Sequence, residues 1–290
     1  MENTTARMNY EAFKRHLTDG LCDYLPEPYC RWQPEVNRLP KINGFVEALN
    51  LSAPSGTGAS PNLYLKGTYE DYKKDGDMEK VLRDTASFFV NSMEMADQIA
   101  ENFVPKDMEP RIIFTLINRQ KNLELLNRVP HRNFLDLSVI YRLLADFSGE
   151  TVYSAIITDA IAKEMGMTEE QLYQQAVMTT RKEMPPLVDT LDKGFYLITN
   201  CTLVMGAVTI FYRDILQELA EKETDDLYII PSSIHEVFAV PVKAVDGSGL
   251  ALLIKDINRR FVDDSAVLSD QLYLYDRKER ALRFAHSIVN

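Results

Sequence analysis

Residues able to do chemistry lie close together in the segment PSSIHE, Pro231 to Glu236, which we call the corner segment. Histidine changes its charge near neutral pH, so His235 could act as a general acid or base with Glu236 orienting it or its neighbours. Alternatively, Ser232, Ser233 and His235 could satisfy backbone groups at the start of a strand, since serine side chains commonly bond local backbone. The sequence leaves both interpretations open.

Two apolar runs must position the corner segment. Leu227 to Ile230 is a short β-branched and aromatic run typical of a buried strand, and Pro231 ends its ladder of hydrogen bonds. A second strand is predicted from Ile234 to Val240, between Pro231 and Pro241, at an edge or a bulge of a sheet. In a regular strand the histidine and the glutamate of the corner segment would point to opposite faces.

A second candidate region is the basic segment, Arg111 to Arg142, which carries a net charge of +4 in a chain of net charge −11. Guanidinium groups bind carboxylate or phosphate in pairs of hydrogen bonds, so the segment could hold an anionic ligand through Arg111, His131 and Arg132. It could equally be the face that packs against the acidic remainder. His131 and Arg132 follow a proline at a predicted strand entrance, as the corner segment does, and spacing alone does not decide whether the two clusters meet.

Composition restricts the classes of function. The 290 residues are 46% hydrophobic and 26% charged, which fits a globular protein, and the acidic balance disfavours nucleic acid and anionic membranes as partners. No membrane-span pattern or signal-peptide core is found, so a cytoplasmic location is predicted. Cys22, Cys30 and Cys201 form neither a metal-type pair nor an even disulfide set. No nucleotide, cofactor or metal motif is present, and no cofactor is predicted.

The periodicity predicts an α+β protein with mixed sheets packed by amphipathic helices. A long helix is expected from Met78 to Phe103, a buried strand from Arg111 to Ile117, and a helix start with a capping box at Thr168 and Gln171. Helices and strands alternate irregularly, without repeats or a long linker. A single domain is therefore expected, either undivided or with two lobes that meet near residues 149–150. Other expected elements are a helix over residues 8–25, a strand from Phe134 to Leu144, and a helix from Leu250 to Phe261.

Several stretches together resemble a family of bacterial proteins of unknown function, typical of anaerobic Gram-positive gut bacteria. The stretches are RIIFTLIN and NLELL within 111–126, VPHRNFLDLSVIY at 129–141, FYLITN at 195–200, MGAV at 205–208, YIIPSSIHEV at 228–237 and VLSDQLYLYD at 267–276. The resemblance covers nearly the whole chain. It implies no activity and no catalytic residues.

The sequence lacks the parts of common hydrolases. A zinc-protease helix would need a second histidine at Ala239, and no Gly-x-Ser-x-Gly elbow surrounds a serine. The favoured hypothesis is a non-catalytic binding or interaction protein that recognises a protein or a small anionic ligand. The alternative is a hydrolase or transferase acting on a phosphate or carboxylate substrate, with His235 as acid or base. This alternative requires that His131 and Arg132 share one pocket with the corner segment.

Overall fold

A computed structural model describes residues 7–54, 61–102, 110–148, 151–192 and 194–285. The chain divides into two compact units. The first comprises Met1–Lys41 and Phe45–Met108, and the second comprises Ile42–Gly44 and Glu109–Asn290. Three sheets with accompanying helices form in the described residues, which confirms the α+β prediction.

Within its described residues, the first unit contains three α-helices and a small sheet. Its elements are α1 (Tyr10–Gly20), β1 (Gln33–Lys41), β2 (Gly44–Ser52), β3 (Leu63–Tyr64), α2 (Leu65–Asp75) and α3 (Met78–Asn102). The sheet order is β1-β2-β3. Phe13, Leu17, Leu49 and Phe89 are fully buried in its core. The expected helix over residues 8–25 ends as α1 and a 3-10 turn, and the expected long helix is confirmed as α3, with Phe103 outside the described residues.

The second unit begins with a four-stranded antiparallel sheet in the order β4-β6-β5, with β7 paired to β6. Its elements are β4 (Ile112–Asn118), α4 (Leu123–Leu126), β5 (His131–Phe134), β6 (Leu137–Ser148), β7 (Thr151–Ile156), α5 (Asp159–Glu164) and α6 (Glu169–Glu183). Residues 112–117 are buried, as the apolar run predicts. The capping box at the start of α6 is confirmed, because Thr168 and Gln171 bond each other's backbone N–H groups.

Two expectations for this region need comment. The expected strand from Phe134 to Leu144 is interrupted, because Leu135 adopts a φ of 51° and turns the chain between β5 and β6. The expected lobe boundary at residues 149–150 lies outside the described residues. The strands on either side of it, β6 and β7, pair with each other and belong to the same unit.

The rest of the second unit is a six-stranded antiparallel sheet in the order β13-β12-β10-β11-β9-β8. The elements are β8 (Pro186–Asp192), β9 (Phe195–Asn200), α7 (Arg213–Glu223), β10 (Leu227–Ile230), β11 (Val237–Pro241), α8 (Gly247–Phe261), β12 (Tyr273–Asp276) and β13 (Ala281–Phe284). Tyr196, Ile198, Ile229 and Val237 lie in the main core. Ile254 of α8 packs in a smaller cluster with Ile230 and Leu272.

The prediction of a second strand after Pro231 was wrong about the residue at which the strand begins and about its position in the sheet. β11 begins only at Val237 and lies inside the sheet, between β10 and β9, rather than at an edge. Pro241 is tolerated because it stands at the last position of the strand, opposite Leu227. The corner segment is therefore a loop, and the alternation of faces expected for His235 and Glu236 does not apply.

None of the helices in the described ranges combines the length and the apolar character required to cross a bilayer.

Candidate functional site

The corner segment is held by a second loop, at residues 266–269. The carbonyl oxygens of Pro231 and Ser232 accept hydrogen bonds of 2.9 Å from the N–H groups of Ser269 and Leu268, and the N–H of Ile234 donates to Ala266. The stretches YIIPSSIHEV and VLSDQLYLYD are thus joined by backbone hydrogen bonds. Both serines of the corner segment are buried, and Ser233 Oγ accepts from the N–H of His235 at 3.0 Å. The Ser233 side chain thus bonds a backbone group, as the capping interpretation expects, whereas Ser232 contributes its backbone carbonyl.

The corner segment also lines a cavity of about 450 Å3, which we call the corner cavity. Its lining residues are Thr202, Leu203, Val204, Ser233, His235, Glu236, Phe261, Val262, Asp263 and Ala266. His235 Nδ1 accepts a long hydrogen bond of 3.4 Å from the N–H of Met205. Within the described residues, neither His235 Nε2 nor the Glu236 carboxylate has a hydrogen bond. No lysine or arginine is among the residues that line this cavity.

One wall of the corner cavity is a strained loop after β9. Leu203 and Met205 adopt φ values of 58° and 55°, which bulky residues rarely adopt. The Asn200 side chain fixes this loop, since it donates to Val204 O at 2.8 Å and accepts from the N–H of Thr202 at 3.0 Å. The backbone of the loop is therefore defined by local hydrogen bonds.

A close approach of two backbones, at Gly206 and His235, holds this loop beside the corner segment. A Cβ atom on Gly206 would lie 2.2 Å from Thr199 Oγ1 and 2.4 Å from His235 O. Thr199 Oγ1 in turn donates to His235 O at 2.8 Å. Only glycine fits at position 206. The backbone of His235 is therefore held by close packing against Gly206 and by the hydrogen bond from Thr199.

The arginine of the basic segment that we nominated from its place after Pro130 is already paired. Arg132 donates to both carboxylate oxygens of Glu169, at 3.2 and 2.9 Å, bonds Glu170, and stacks 3.9 Å from the ring centre of Tyr173. The hydrogen bond to Glu169 raises the pKa of Arg132. Tyr141 also donates to Glu169, and burial, reinforced by this carboxylate, raises the pKa of Tyr141. Arg132 is thus neutralised within its own cluster.

The other two candidates of the basic segment also have local partners. Arg111 lies 3.5 Å from Glu183 and donates to the carbonyl of Ala145. His131 Nδ1 lies 3.1 Å from the carbonyl oxygen of Val129. Neither of them, nor Arg132, lines the corner cavity. The structure brings Ser233, His235 and Glu236 together but does not bring the basic candidates to them.

A different pair of arginines borders a cavity of about 290 Å3, which we call the arginine cavity. Its lining residues are Phe134, Tyr173, Ile210, Phe211, Arg213, Tyr275, Arg280, Ala281 and Leu282. Phe134 and Phe211 pack with their ring centres 4.9 Å apart. The described residues that line this cavity include no aspartate or glutamate. The cavity is thus lined by aromatic and aliphatic side chains, and its charged lining residues are the two arginines.

The two guanidinium groups of the arginine cavity are only weakly compensated. Arg213 makes no ion pair or side-chain hydrogen bond with the described residues, and the ion pair of Arg280 with Glu221 spans 4.0 Å between exposed side chains. Burial raises the pKa of Tyr275, while the charges of Arg280 and Arg213 act in the opposite direction. Both arginine charges, opposed by the charge of Glu221, therefore act on the Tyr275 hydroxyl, which donates to Gln217 at 2.9 Å.

A model of a known protein family matches most of the chain. The model of a family of unknown function, DUF5688, matches residues 10–194 and 189–277. The chain belongs to the DUF5688 family. No curated protein and no solved structure matches it significantly. For this DUF5688 protein, the chemistry of its cavities is consequently the basis for a functional argument.

Sequence reasoning missed the arginine cavity. Arg213 begins α7, and Arg280 lies in the β12–β13 hairpin with a φ of 52°. The two residues are far apart in the chain and share no motif, so only the fold brings them together. The available signal was the aromatic content near each of them, which is also expected of an ordinary core.

A further groove of the DUF5688 protein, about 870 Å3, runs along α6. Methionines, glutamines and Pro110 line most of it, and its carboxylate, Glu170, is paired with Arg132. Elsewhere too, no group of three or more His, Cys, Asp or Glu side chains in the described ranges is placed to hold a metal ion. Within the described ranges, the Glu236 carboxylate of the corner cavity and the Arg213 guanidinium group of the arginine cavity are thus charged groups without an ion pair or a side-chain hydrogen bond.

Proposed function

We propose that this DUF5688 protein is a non-catalytic binding protein that takes up a small anionic ligand in the arginine cavity. The observation that carries the proposal is the pair of weakly compensated guanidinium groups, Arg213 and Arg280, on a cavity with aromatic walls. Guanidinium groups bind carboxylate and phosphate oxygens in a fixed, bidentate geometry. An anion between them would supply the charge that the lining lacks.

The dimensions and walls of the cavity suggest the rest of the ligand. A volume of about 290 Å3 lies at the lower end of the range for small-molecule sites, roughly 300–1,000 Å3. Phe134, Tyr173 and Phe211 offer apolar ring surfaces against which a flat group can pack. We therefore expect a ligand with one carboxylate or phosphate on a single ring or a body of similar size.

The alternative, a hydrolase or transferase that uses His235, has less support. It needs cationic groups beside His235 to hold the substrate, and none lines the corner cavity. The arginine cavity holds the cations but neither an imidazole nor a carboxylate. Because acid–base groups and anion-binding groups occupy different cavities, binding without catalysis is the simpler function.

We place the protein in the cytoplasm. Cys22, Cys30 and Cys201 are free thiols in the structure, as expected in a reducing compartment. The resemblance of the sequence stretches implies a Gram-positive gut anaerobe as the source. A small anionic metabolite of that compartment is the class of ligand that we propose.

The experiment is calorimetric titration with matched probes. Benzoate and phenyl phosphate carry the expected anion, whereas benzamide has the same ring and a similar shape without charge. We expect both anions to bind and benzamide to bind at least ten-fold more weakly. Arg213→Gln and Arg280→Gln should each weaken the anions roughly ten-fold or more, because each removes a charge-assisted hydrogen bond of about 1.5–3 kcal/mol.

The control variant is Arg259→Gln, an exposed arginine of α8 that does not line the cavity. It should bind the anions like the wild type. Circular dichroism melting of all three variants shows whether they remain folded. Equal binding of benzoate and benzamide, or equal losses in all three variants, would contradict the proposal.

A further inference from the structure

Two large apolar side chains stand exposed at the corner cavity. Phe261 and Leu203 are 79% and 50% exposed, although both line this cavity. Along α8, Leu253 and Ile257 precede Phe261 at intervals of four residues and are also exposed. Residues at this spacing share one side of a helix. The apolar strip from Leu253 to Phe261 is about 12 Å long.

The exposure of Leu203 is imposed by its backbone. This residue has a left-handed conformation, which costs a bulky side chain free energy, and the hydrogen bonds of Asn200 maintain it. An exposed leucine side chain makes no packing contacts that would offset the free-energy cost of this backbone conformation. Strained residues occur disproportionately where a binding surface requires a defined shape.

The charge of the corner cavity is opposite to that of the arginine cavity. Glu236 and Asp263 line it, together with the imidazole of His235, and no lysine or arginine is among its lining residues. The Glu236 carboxylate has no hydrogen bond to the described residues. A cationic group would complement this lining, whereas an anion would be repelled.

We propose that the corner cavity and its apolar strip form a docking site for a segment of a partner protein. A lysine or arginine of the segment enters the cavity beside Glu236, and apolar side chains next to it cover Leu203 and Phe261. The length of the strip favours a peptide segment over a small amine, because its far end lies about 12 Å from Phe261. This docking site is independent of the arginine cavity and of the function proposed for it.

The test is a selection of random dodecapeptides displayed on phage against the immobilised full-length protein. We expect enriched peptides to combine a basic residue with a nearby leucine, isoleucine, phenylalanine or tryptophan. Synthetic copies should bind Glu236→Gln and Phe261→Ser at least ten-fold more weakly than the wild type in fluorescence anisotropy. A peptide with glutamine in place of its basic residue should lose affinity for the wild type but not for Glu236→Gln.

Matched controls separate the site from general stickiness. Leu252 is 82% exposed on the same helix but lies about 180° around it from Phe261, so Leu252→Ser should bind the peptides like the wild type. Glu164→Gln, at an exposed position of α5, controls for the loss of one negative charge. Thermal melting checks that each variant is folded.

Several outcomes would overturn the proposal. They are the absence of enrichment, enrichment of acidic peptides, and peptides that bind the controls and the site variants equally. Sedimentation of the wild type and of Phe261→Ser tests the other occupant, a second copy of the chain. Self-association that Phe261→Ser abolishes would assign the strip to a homo-oligomer and contradict docking of a different protein.

Discussion

The corner cavity and the arginine cavity lie in the same unit but are built in different ways. The shape of the corner cavity depends on backbone conformation. The loop at Leu203 and Met205 is strained, and the backbone of Gly206 lies close to that of His235. Side chains on regular elements wall the arginine cavity, including those of β5, α6 and α7. Substitutions in the backbone-built wall should therefore change stability, whereas removal of an exposed arginine should change ligand binding alone.

The two cavities also differ in charge. The basic segment shows that the number of arginines in a stretch of sequence does not predict where an anion can bind. Arg132 and Arg213 are the same residue type, yet Arg132 is engaged by Glu169 and Glu170 while Arg213 has no partner among the described residues. A carboxylate of the protein that already engages a guanidinium group compensates its charge and takes up donors that a ligand would need. Arginine pairing, rather than arginine number, distinguishes the two regions.

The largest expected effect comes from the backbone wall. Gly206→Ala places a Cβ atom within 2.9 Å of three atoms, two of them backbone, and should reduce the free energy of unfolding by about 3 kcal/mol or more. Urea denaturation measures this. Gly67→Ala, where nothing lies within 4 Å, should be neutral or slightly stabilising in α2. Equal stability of the two variants would show that the corner cavity is not held by its backbone.

A smaller effect is expected where the arginine is paired. Arg132→Gln removes the bonds to Glu169 and Glu170 at a position about one-third exposed, so it should destabilise the protein by about 1 kcal/mol. Because that charge is already compensated, affinity for benzoate should change less than about three-fold. Arg213→Gln should show the reverse pattern. Calorimetry and urea denaturation of both variants check this, and a strong loss of benzoate binding in Arg132→Gln would remove the distinction.

The smallest effect concerns Tyr212, immediately before Arg213. Its buried hydroxyl has no hydrogen-bond partner among the described residues, and burial raises its pKa to about 12. The unfolded chain loses this proton near pH 10 and the folded chain only near 12, so stability falls as pH rises through this interval. Tyr212→Phe removes that loss and the unpaired hydroxyl. It should stabilise by roughly 1 kcal/mol or less at about pH 8, and by more at about pH 11.

Urea denaturation of Tyr212→Phe at the two pH values gives this comparison. Tyr153→Phe is the matched control, because Tyr153 is 54% exposed. The control should not change the pH dependence of stability. A wild type and a Tyr212→Phe variant with parallel pH profiles would show that Tyr212 titrates normally and that its hydroxyl is hydrated.

Much of the fold was predictable because it depends on local patterns. The apolar period of Met78 to Phe103, the capping box at Thr168 and the buried run at residues 112–117 each correspond to an observed element. The end of β10 before Pro231 was also predictable, since proline lacks the N–H that the ladder requires. The start of β11 was not, because residues 232–234 pair with the distant loop at 266–269 rather than continuing the sheet.

The sequence by itself determined the fold class, most of the helices and strands, and the end of β10 before Pro231. It could not assign partners to charges. Whether an arginine faces a carboxylate or an open cavity depends on contacts between residues far apart in the chain, which local periodicity does not encode. The tertiary structure alone paired Arg132 with Glu169, placed Arg213 near Arg280 without an ion pair to the residues that the structure describes, and gave the corner segment an acidic cavity of its own.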